Sequence, residues 1–367
     1  MATDQRRPAR GDRRRVLHVI TSDQRRGAET FAVDLAAALA ARDVASEVVA
    51  LAPAASGSRL GVPVLGDAAL APVTLRALRR LAAGARVVVA HGSRTLPACA
   101  LGLAGRRTPV VYRSIGDPAA WAGGGLRRAR TRLLLRRTAA VTVLWPGAGD
   151  AVHALYAVPP DRIHVIPNAV PAARCPVPDA GARRDARARL GLPGDAPVVA
   201  AIGALAAEKR VGAAIGAVAA LEGVHLLVAG DGPERAPLEQ RAAAVAPGRV
   251  HFAGSLPGPT DALAAADVVV LTSRTEGMPG VLVEAGLSGV AAVATDVGGV
   301  ATVVRDGETG VLVPPGDAAA LTGGLRRALA DRERLGAAAR RHCMAHFEMG
   351  PVADRWATLV DNLAPQG

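Results

Sequence analysis

Two glutamates eight positions apart, Glu276 and Glu284, straddle a Met-Pro-Gly turn in a stretch that opens Thr272-Ser273-Arg274-Thr275. A carboxylate can accept two hydrogen bonds from a vicinal diol such as that of a ribose, and the unpaired amides at a helix start attract a phosphate. Residues 267–271 read as a short strand buried in a parallel sheet. Gly277 and Gly280 then permit a sharp turn into a helix whose first amides lack partners. Glu284 falls one turn inside that helix, and Met278, Pro279, Gly280 and Val281 form its approach. The pattern outlines a nucleotide site, with phosphates at the helix start and a ribose on Glu284.

The basic residues supply a second part. Of the 44, 43 are arginine and one is lysine, Lys209. It follows the apolar run 197–202 and the turn 203–208, at a strand-to-helix junction on the edge where open α/β sheets bind ligands. A compact ammonium meets a diphosphate as a point charge, where a guanidinium would demand a planar bidentate partner and more room. Lys209, with Arg210 beside it, is therefore a candidate phosphate clamp.

These residues need a sheet to hold them, and the chain has the rhythm of one. Apolar runs at 16–20, 47–51, 86–90, 109–112, 140–144 and 163–166 are each followed by Gly, Ser or Pro and a helix-like stretch. Prolines at 167, 171, 176 and 178 break the pattern and read as a linker. It restarts at 197–202, 224–229, 249–252, 267–271, 291–294 and 310–313. The expected class is α/β with two Rossmann-like domains, for which 367 residues suffice. The expected segments are a disordered basic tail at 1–14, a first domain at 15–175, a second at 176–348, and a final helical segment at 349–367.

Composition excludes several functions. Eight aromatic residues are too few for stacked nucleic-acid platforms, so no nucleic-acid partner is expected. Cys99, Cys175 and Cys343 are odd in number and widely spaced, which argues for reduced thiols in the cytoplasm. The apolar run after the basic tail is too short for a signal-peptide core, and no stretch of about 18 apolar residues occurs. His342 and His346 lie four apart on a helical pattern around Cys343, but without further ligands they do not make a metal site. No Asp-x-Asp pair is present to hold a divalent cation on a diphosphate.

Ser273, Glu276-Gly277, Pro279, Glu284-Ala285, Gly289, Thr295, Val297-Gly298-Gly299, Asp306-Gly307, Thr309-Gly310 and Val313-Pro314-Pro315-Gly316-Asp317 together resemble the C-terminal signature of the retaining nucleotide-sugar glycosyltransferases of family 4. The resemblance covers roughly residues 14–362. It implies the GT-B architecture: two Rossmann-like domains facing across a cleft, with the C-terminal helix crossing back to the first. It also implies a nucleotide-diphosphate sugar as donor, with Glu276 on the sugar hydroxyls, Glu284 on the ribose, and the backbone after Gly254, near Leu256, bordering the base. Arg26-Gly27-Ala28-Glu29 resembles the family's Gly-Gly-x-Glu loop and would bring the Gly27 backbone to the donor phosphate. No enzyme nucleophile is evident. A front-face mechanism, in which the leaving phosphate takes the acceptor proton, requires none.

The chain departs from the family at two places. Ala204 stands where a basic residue is usual, leaving Arg210, Arg25, Arg26 or Arg113 to complete the clamp, and Tyr112-Arg113-Ser114 stands where many relatives carry a histidine. His91, after the third strand, is the alternative catalytic candidate.

Charge points to the acceptor. Residues 1–175 hold 26 basic and 11 acidic residues, net +15, while residues 176–367 hold 18 and 21, net −3. The first domain takes the acceptor in this architecture, so an anionic or lipid-linked acceptor, or an anionic membrane surface, is the expected partner. Residues 126–137 alone carry six arginines interleaved with Leu133, Leu134 and Leu135. The expectation is a cytoplasmic, peripherally membrane-associated, metal-independent transferase with no cofactor beyond its donor. Two rivals stay open, a sugar-nucleotide epimerase of the same fold and a non-catalytic nucleotide-binding protein.

Overall fold

In the computed structural model, residues 15–55 and 57–363 are described, and the tail expected at 1–14 lies outside them. The chain forms two compact units, Met1–Pro167 with Met349–Gly367, and Asn168–Glu348.

The first unit is built on strands β1 (Arg15–Ser22), β2 (Ser46–Ala52), β3 (Ala85–His91), β4 (Val110–Arg113), β5 (Ala140–Val143) and β6 (Ile163–Val165), all parallel, in the order β2-β1-β3-β4-β5-β6. The second is built on β7 (Val198–Ile202), β8 (His225–Ala229), β9 (Val250–Gly254), β10 (Val268–Leu271), β11 (Ala291–Thr295) and β12 (Gly310–Val313), also parallel, in the order β12-β11-β10-β7-β8-β9. Val and Ala dominate these strands because helices cover both faces of each sheet. In Val-Val-Val-Leu of β10 every residue is buried, not every second one. Leu17, Val19, Val49, Leu51 and Val88 fill one core, and Val199, Ile215, Leu226, Val268 and Leu325 fill the other.

Strand order decides where each unit can bind. In the second, the chain winds outward from β7 through β9, returns, and winds the other way from β10 through β12. The reversal lies between β7 and β10, and the loops leaving the carboxyl ends of these strands diverge there to leave a crevice. In the first unit the corresponding reversal lies between β1 and β3.

The units divide at Pro167, ahead of the expected boundary at 175/176. The reason is hydrogen bonding within the second unit: Asn168 Nδ2 donates to the Met278 carbonyl at 2.7 Å, and the Val170 amide donates to the Phe347 carbonyl at 3.1 Å. The helix Met349–Leu363 belongs to the first unit and packs on the helix Gly27–Ala40. Arg42 fastens it by donating to Asp354 Oδ1 at 2.5 Å and to the Gly350 carbonyl at 2.8 Å, and Trp356 is fully buried.

Candidate active site

In the second unit the two loops at the reversal meet. Lys209 ends a short 3-10 turn after β7, and Glu276 lies in the loop after β10. Lys209 Nζ donates to Glu276 Oε1 at 2.6 Å, and the Ser273 hydroxyl donates to the same oxygen at 2.6 Å. The Glu276 side chain is 10% exposed and that of Lys209 29%, so the pair is partly desolvated. One carboxylate oxygen with two donors fixes the ammonium, which has further protons to offer a ligand.

The backbone around the pair is tied down. Thr272 Oγ1 donates to the carbonyls of Lys209 and Arg210 at 2.9 and 3.0 Å, and the Arg274 amide donates to the Glu208 carbonyl at 2.8 Å. Thr295 Oγ1 donates to the Ser273 carbonyl at 2.7 Å. Gly298, at φ +57°, leaves no room for a side chain, because a Cβ there would lie 1.9 Å from the Glu276 carbonyl oxygen. A glycine is also required at 230, φ +147°, where a Cβ would lie 1.8 Å from the Gly203 carbonyl oxygen. Close backbone approach therefore aligns the ends of β7 and β8 beside the β10 loop.

The helix Gly280–Leu287 begins beside this pair. Its cap residue, Pro279, has no side chain able to hydrogen-bond the first turn, and a Cβ built on Gly280 would meet nothing within 4 Å. The amides of Gly280 and Val281 therefore stand at an open, positive helix end suited to an anion. Glu284 is half-buried on this helix, close enough to Cys175 for its charge to help raise that thiol, whose pKa burial pushes up to about 12. The Met278 side chain is 3% exposed, and the Asn168 amide N–H points at its sulfur at 3.3 Å. The Met278 side chain therefore packs inward, which leaves the backbone of this turn for the donor contact expected there. Leu256 is half-buried in the loop after β9.

Arg210 requires a correction. Its backbone is left-handed, φ +51°, and its side chain lines a cavity with Arg241 and Arg274, where its Nη1 would lie 3.6 Å from a Cβ built on Gly316.

In the first unit, Gly27 opens the helix Gly27–Ala40 after β1, exposed and with no side-chain cap. His91, at the end of β3, is buried: its Nε2 lies 3.0 Å from His18 Nδ1 in a hydrogen bond, beside the fully buried Arg113, whose guanidinium carbon sits 3.8 Å over the Phe31 ring. Burial, and secondarily Arg113, pulls His18 from 6.5 down to about 3, while burial, His18 and Arg113 hold His91 well below 6.5. His91 is thus corrected from a catalytic candidate to a neutral core residue that positions its neighbours. Arg113, being buried, serves the core too. Burial lowers it to about 9, which leaves it cationic at neutral pH.

This pair makes stability depend on pH. Both histidines have folded pKa values below the unfolded one, so the unfolded chain binds more protons and stability is lost as pH falls below 6.5. Between pH 7 and pH 5.5 the loss is expected to be about 2 kcal/mol, read as a lower urea midpoint, and His91→Phe should flatten the dependence. A midpoint unchanged over that range would show that the pair is not excluded from protonation.

Among the described residues no three His, Cys, Asp or Glu side chains form a group able to hold a metal ion. The His342 and His346 rings lie with centroids 4.9 Å apart and planes tilted by 55°, and His342 Nε2 is hydrogen-bonded to the Thr302 carbonyl at 3.1 Å. Sequence inspection missed Thr272 and Thr295 as the ties of the two loops, and His18 as the partner of His91. Thr295 belongs to the matched signature, but nothing in the sequence reveals these bonds.

A doubly wound sheet with a lysine–glutamate pair and a bare helix start at its reversal has the geometry of the Rossmann-like α/β class. Comparison makes this specific. The family described as "Glycosyl transferases group 1" matches residues 182–342, and "Glycosyltransferase Family 4" matches residues 25–174. The chain is 30% identical over 285 residues to the alpha-D-kanosaminyltransferase of Streptomyces kanamyceticus, covering 74% of this chain and 69% of that protein. It is 35% identical over 178 residues to the lipopolysaccharide core biosynthesis glycosyltransferase LpsE of Rhizobium meliloti, covering 47% of this chain and 52% of LpsE, about half that protein's length. HepE of Anabaena, solved in complex with UDP and glucose, shares the fold with a TM-score of 0.83 at 21% identity, over 94% of this chain and 99% of its own. The chain belongs to glycosyltransferase family 4.

Proposed function

We propose that this chain is a retaining glycosyltransferase that moves a sugar from a nucleotide-diphosphate sugar to an acceptor hydroxyl without a metal ion. The observation that carries it is the Lys209 ammonium, held 2.6 Å from Glu276 beside the bare start of the helix Gly280–Leu287. Lys209 and the first helix amides would hold the diphosphate, Glu276 the sugar hydroxyls and Glu284 the ribose. As the bond from the anomeric carbon to the phosphate oxygen breaks, charge grows on the diphosphate, where the fixed cation and helix dipole stabilise it. The acceptor oxygen bonds to the same face of the sugar and passes its proton to the leaving phosphate, which balances the step without an enzyme nucleophile. The transferase names of LpsE and the kanosaminyltransferase favour transfer over epimerisation.

The test is a panel of nucleotide sugars offered with acceptors, with parallel reactions in EDTA. Sugar transfer with retained anomeric configuration and little loss in EDTA supports the proposal. Abolition by EDTA with rescue by Mg²⁺ or Mn²⁺ overturns metal independence, and free isomerised nucleotide sugar as the product supports the epimerase.

An anionic, lipid-borne acceptor fits the first unit. On the helix Gly125–Leu135 and just beyond it, Arg127, Arg128, Arg130, Arg132, Arg136 and Arg137 are all exposed, and Leu126 and Leu133 are 88% and 62% exposed. Trp121 nearby is 57% exposed. Cations around exposed apolar side chains suit a headgroup interface, and the name of LpsE, a lipopolysaccharide core transferase, favours an acceptor of this kind. No helix among the described residues is long and apolar enough to cross a membrane. The protein is expected to sediment with anionic vesicles at low salt and to be released as salt rises, since each Arg near the surface contributes up to about 1 kcal/mol. Replacing Arg127, Arg128, Arg132 and Arg136 with Glu should abolish sedimentation. Wild-type protein that stays in the supernatant at low salt sinks the lipid assignment.

A further inference from the structure

We propose that the second unit carries another binding site, for a small phosphorylated polyol such as a sugar phosphate, in the cavity behind the Lys209 turn. This goes beyond the proposed donor site, since Lys209, Glu276, Gly280 and Glu284 do not line the cavity. The cavity holds about 680 Å³ and is lined by Arg210, Arg241 and Arg274. None of these three guanidiniums belongs to an ion pair among the described residues. Three unpaired guanidiniums around one concavity repel one another and are stabilised by an anion that bridges them.

Three independent features support a built site. Arg210 lines the cavity from a backbone at φ +51°, one of three non-glycine residues with positive φ among the described residues, a conformation the fold holds against backbone preference. Arg241 is fixed by donating Nε to the Gly212 carbonyl at 3.1 Å. The helix Val211–Ala219 starts at the cavity with no side-chain cap, adding open amides to the guanidiniums.

The remaining lining narrows the ligand to a phosphorylated polyol. Asp317 is engaged in capping the helix Ala318–Ala330, accepting from the Ala320 amide at 2.8 Å. Glu234 is half-buried in the wall and offers a carboxylate to hydroxyl donors. A ligand with phosphate at one end and hydroxyls at the other satisfies both signs of charge, while Val211, Leu238 and Leu321 supply an apolar floor for a ring.

The cavity shares a loop with the donor site. Thr272 Oγ1, on the cavity wall, holds the carbonyls of both Lys209 and Arg210. A ligand drawn onto Arg210 acts on the turn that aims Lys209, so occupancy and donor affinity are linked.

The experiment is calorimetric titration of glucose 6-phosphate into the full chain, alone and with a saturating nucleoside diphosphate. Binding should persist with the diphosphate present and weaken at least tenfold in Arg241→Ala/Arg274→Ala, while Lys209→Ala retains it. Both arginines are exposed, and circular dichroism checks that the variant is folded. The single Arg274→Ala provides a second variant and should weaken binding several-fold. No binding, binding abolished by the diphosphate, or binding unchanged in the double variant overturns the site. Inorganic pyrophosphate binding as tightly as glucose 6-phosphate overturns the polyol assignment. If no nucleoside diphosphate binds, the donor assignment fails alone, and the glucose 6-phosphate titration of the two proteins still decides the cavity.

Discussion

Lys209→Ala is expected to lower kcat/KM about 100-fold, because removing one preorganised charge on developing phosphate charge costs about 3 kcal/mol of transition-state stabilisation. The substitution also leaves the Glu276 carboxylate, 10% exposed, with Ser273 as its remaining named donor. A buried charge deprived of its partner destabilises the fold, so part of any activity loss could come from unfolding. The double variant Lys209→Ala/Glu276→Gln separates the two effects. It removes the orphaned charge and should recover most of the lost stability while remaining about as inactive as the single variant. Steady-state kinetics beside a denaturation curve decide the matter. Activity within threefold of wild type in Lys209→Ala would remove this residue from the site, and recovery of activity in the double variant would make the pair purely structural.

Trp356→Ala should produce the largest loss of stability, about 3–5 kcal/mol, since it empties a fully enclosed volume that neighbouring side chains fill only in part. Trp356 anchors the helix Met349–Leu363 in the first unit, so the first unit's unfolding transition should move down while that of the second stays nearly fixed. Trp356→Phe should lose much less. The indole Nε1 is buried without a hydrogen-bond partner, and phenylalanine removes that unsatisfied donor along with part of the ring. Chemical denaturation followed by circular dichroism gives both numbers. A loss under 1 kcal/mol for the alanine variant would mean that the helix does not depend on this side chain.

The strands could be read from the sequence because buried parallel strands are continuous apolar runs, and every run singled out in the sequence is a strand in the structure. The glycines and the lone lysine were legible for a similar local reason. Gly277 and Gly280 flank a turn at a helix start, and Lys209 is the single lysine in an arginine-rich chain. The junctions carrying Lys209 and Glu276 were legible too, being fixed by strand-to-loop order along the chain.

Side-chain direction was not legible. Lys209 and Arg210 are neighbours in sequence, yet Lys209 meets Glu276 while Arg210, left-handed in its backbone, lines a cavity with Arg241 and Arg274. His91 looked available at a strand end, but His18 and Arg113, on β1 and β4, enclose it. Met278 lay in a suitable turn, yet Asn168 holds its side chain inward. The unit boundary moved for the same cause, hydrogen bonds from Asn168 and Val170 to residues far along the chain. The sequence by itself determined what forms through local pattern: strands, tight turns, helix starts and the family signature. Which charges meet, which are buried and which face a cavity was decided by the tertiary structure, because those outcomes depend on residues that only the folded sheet brings together.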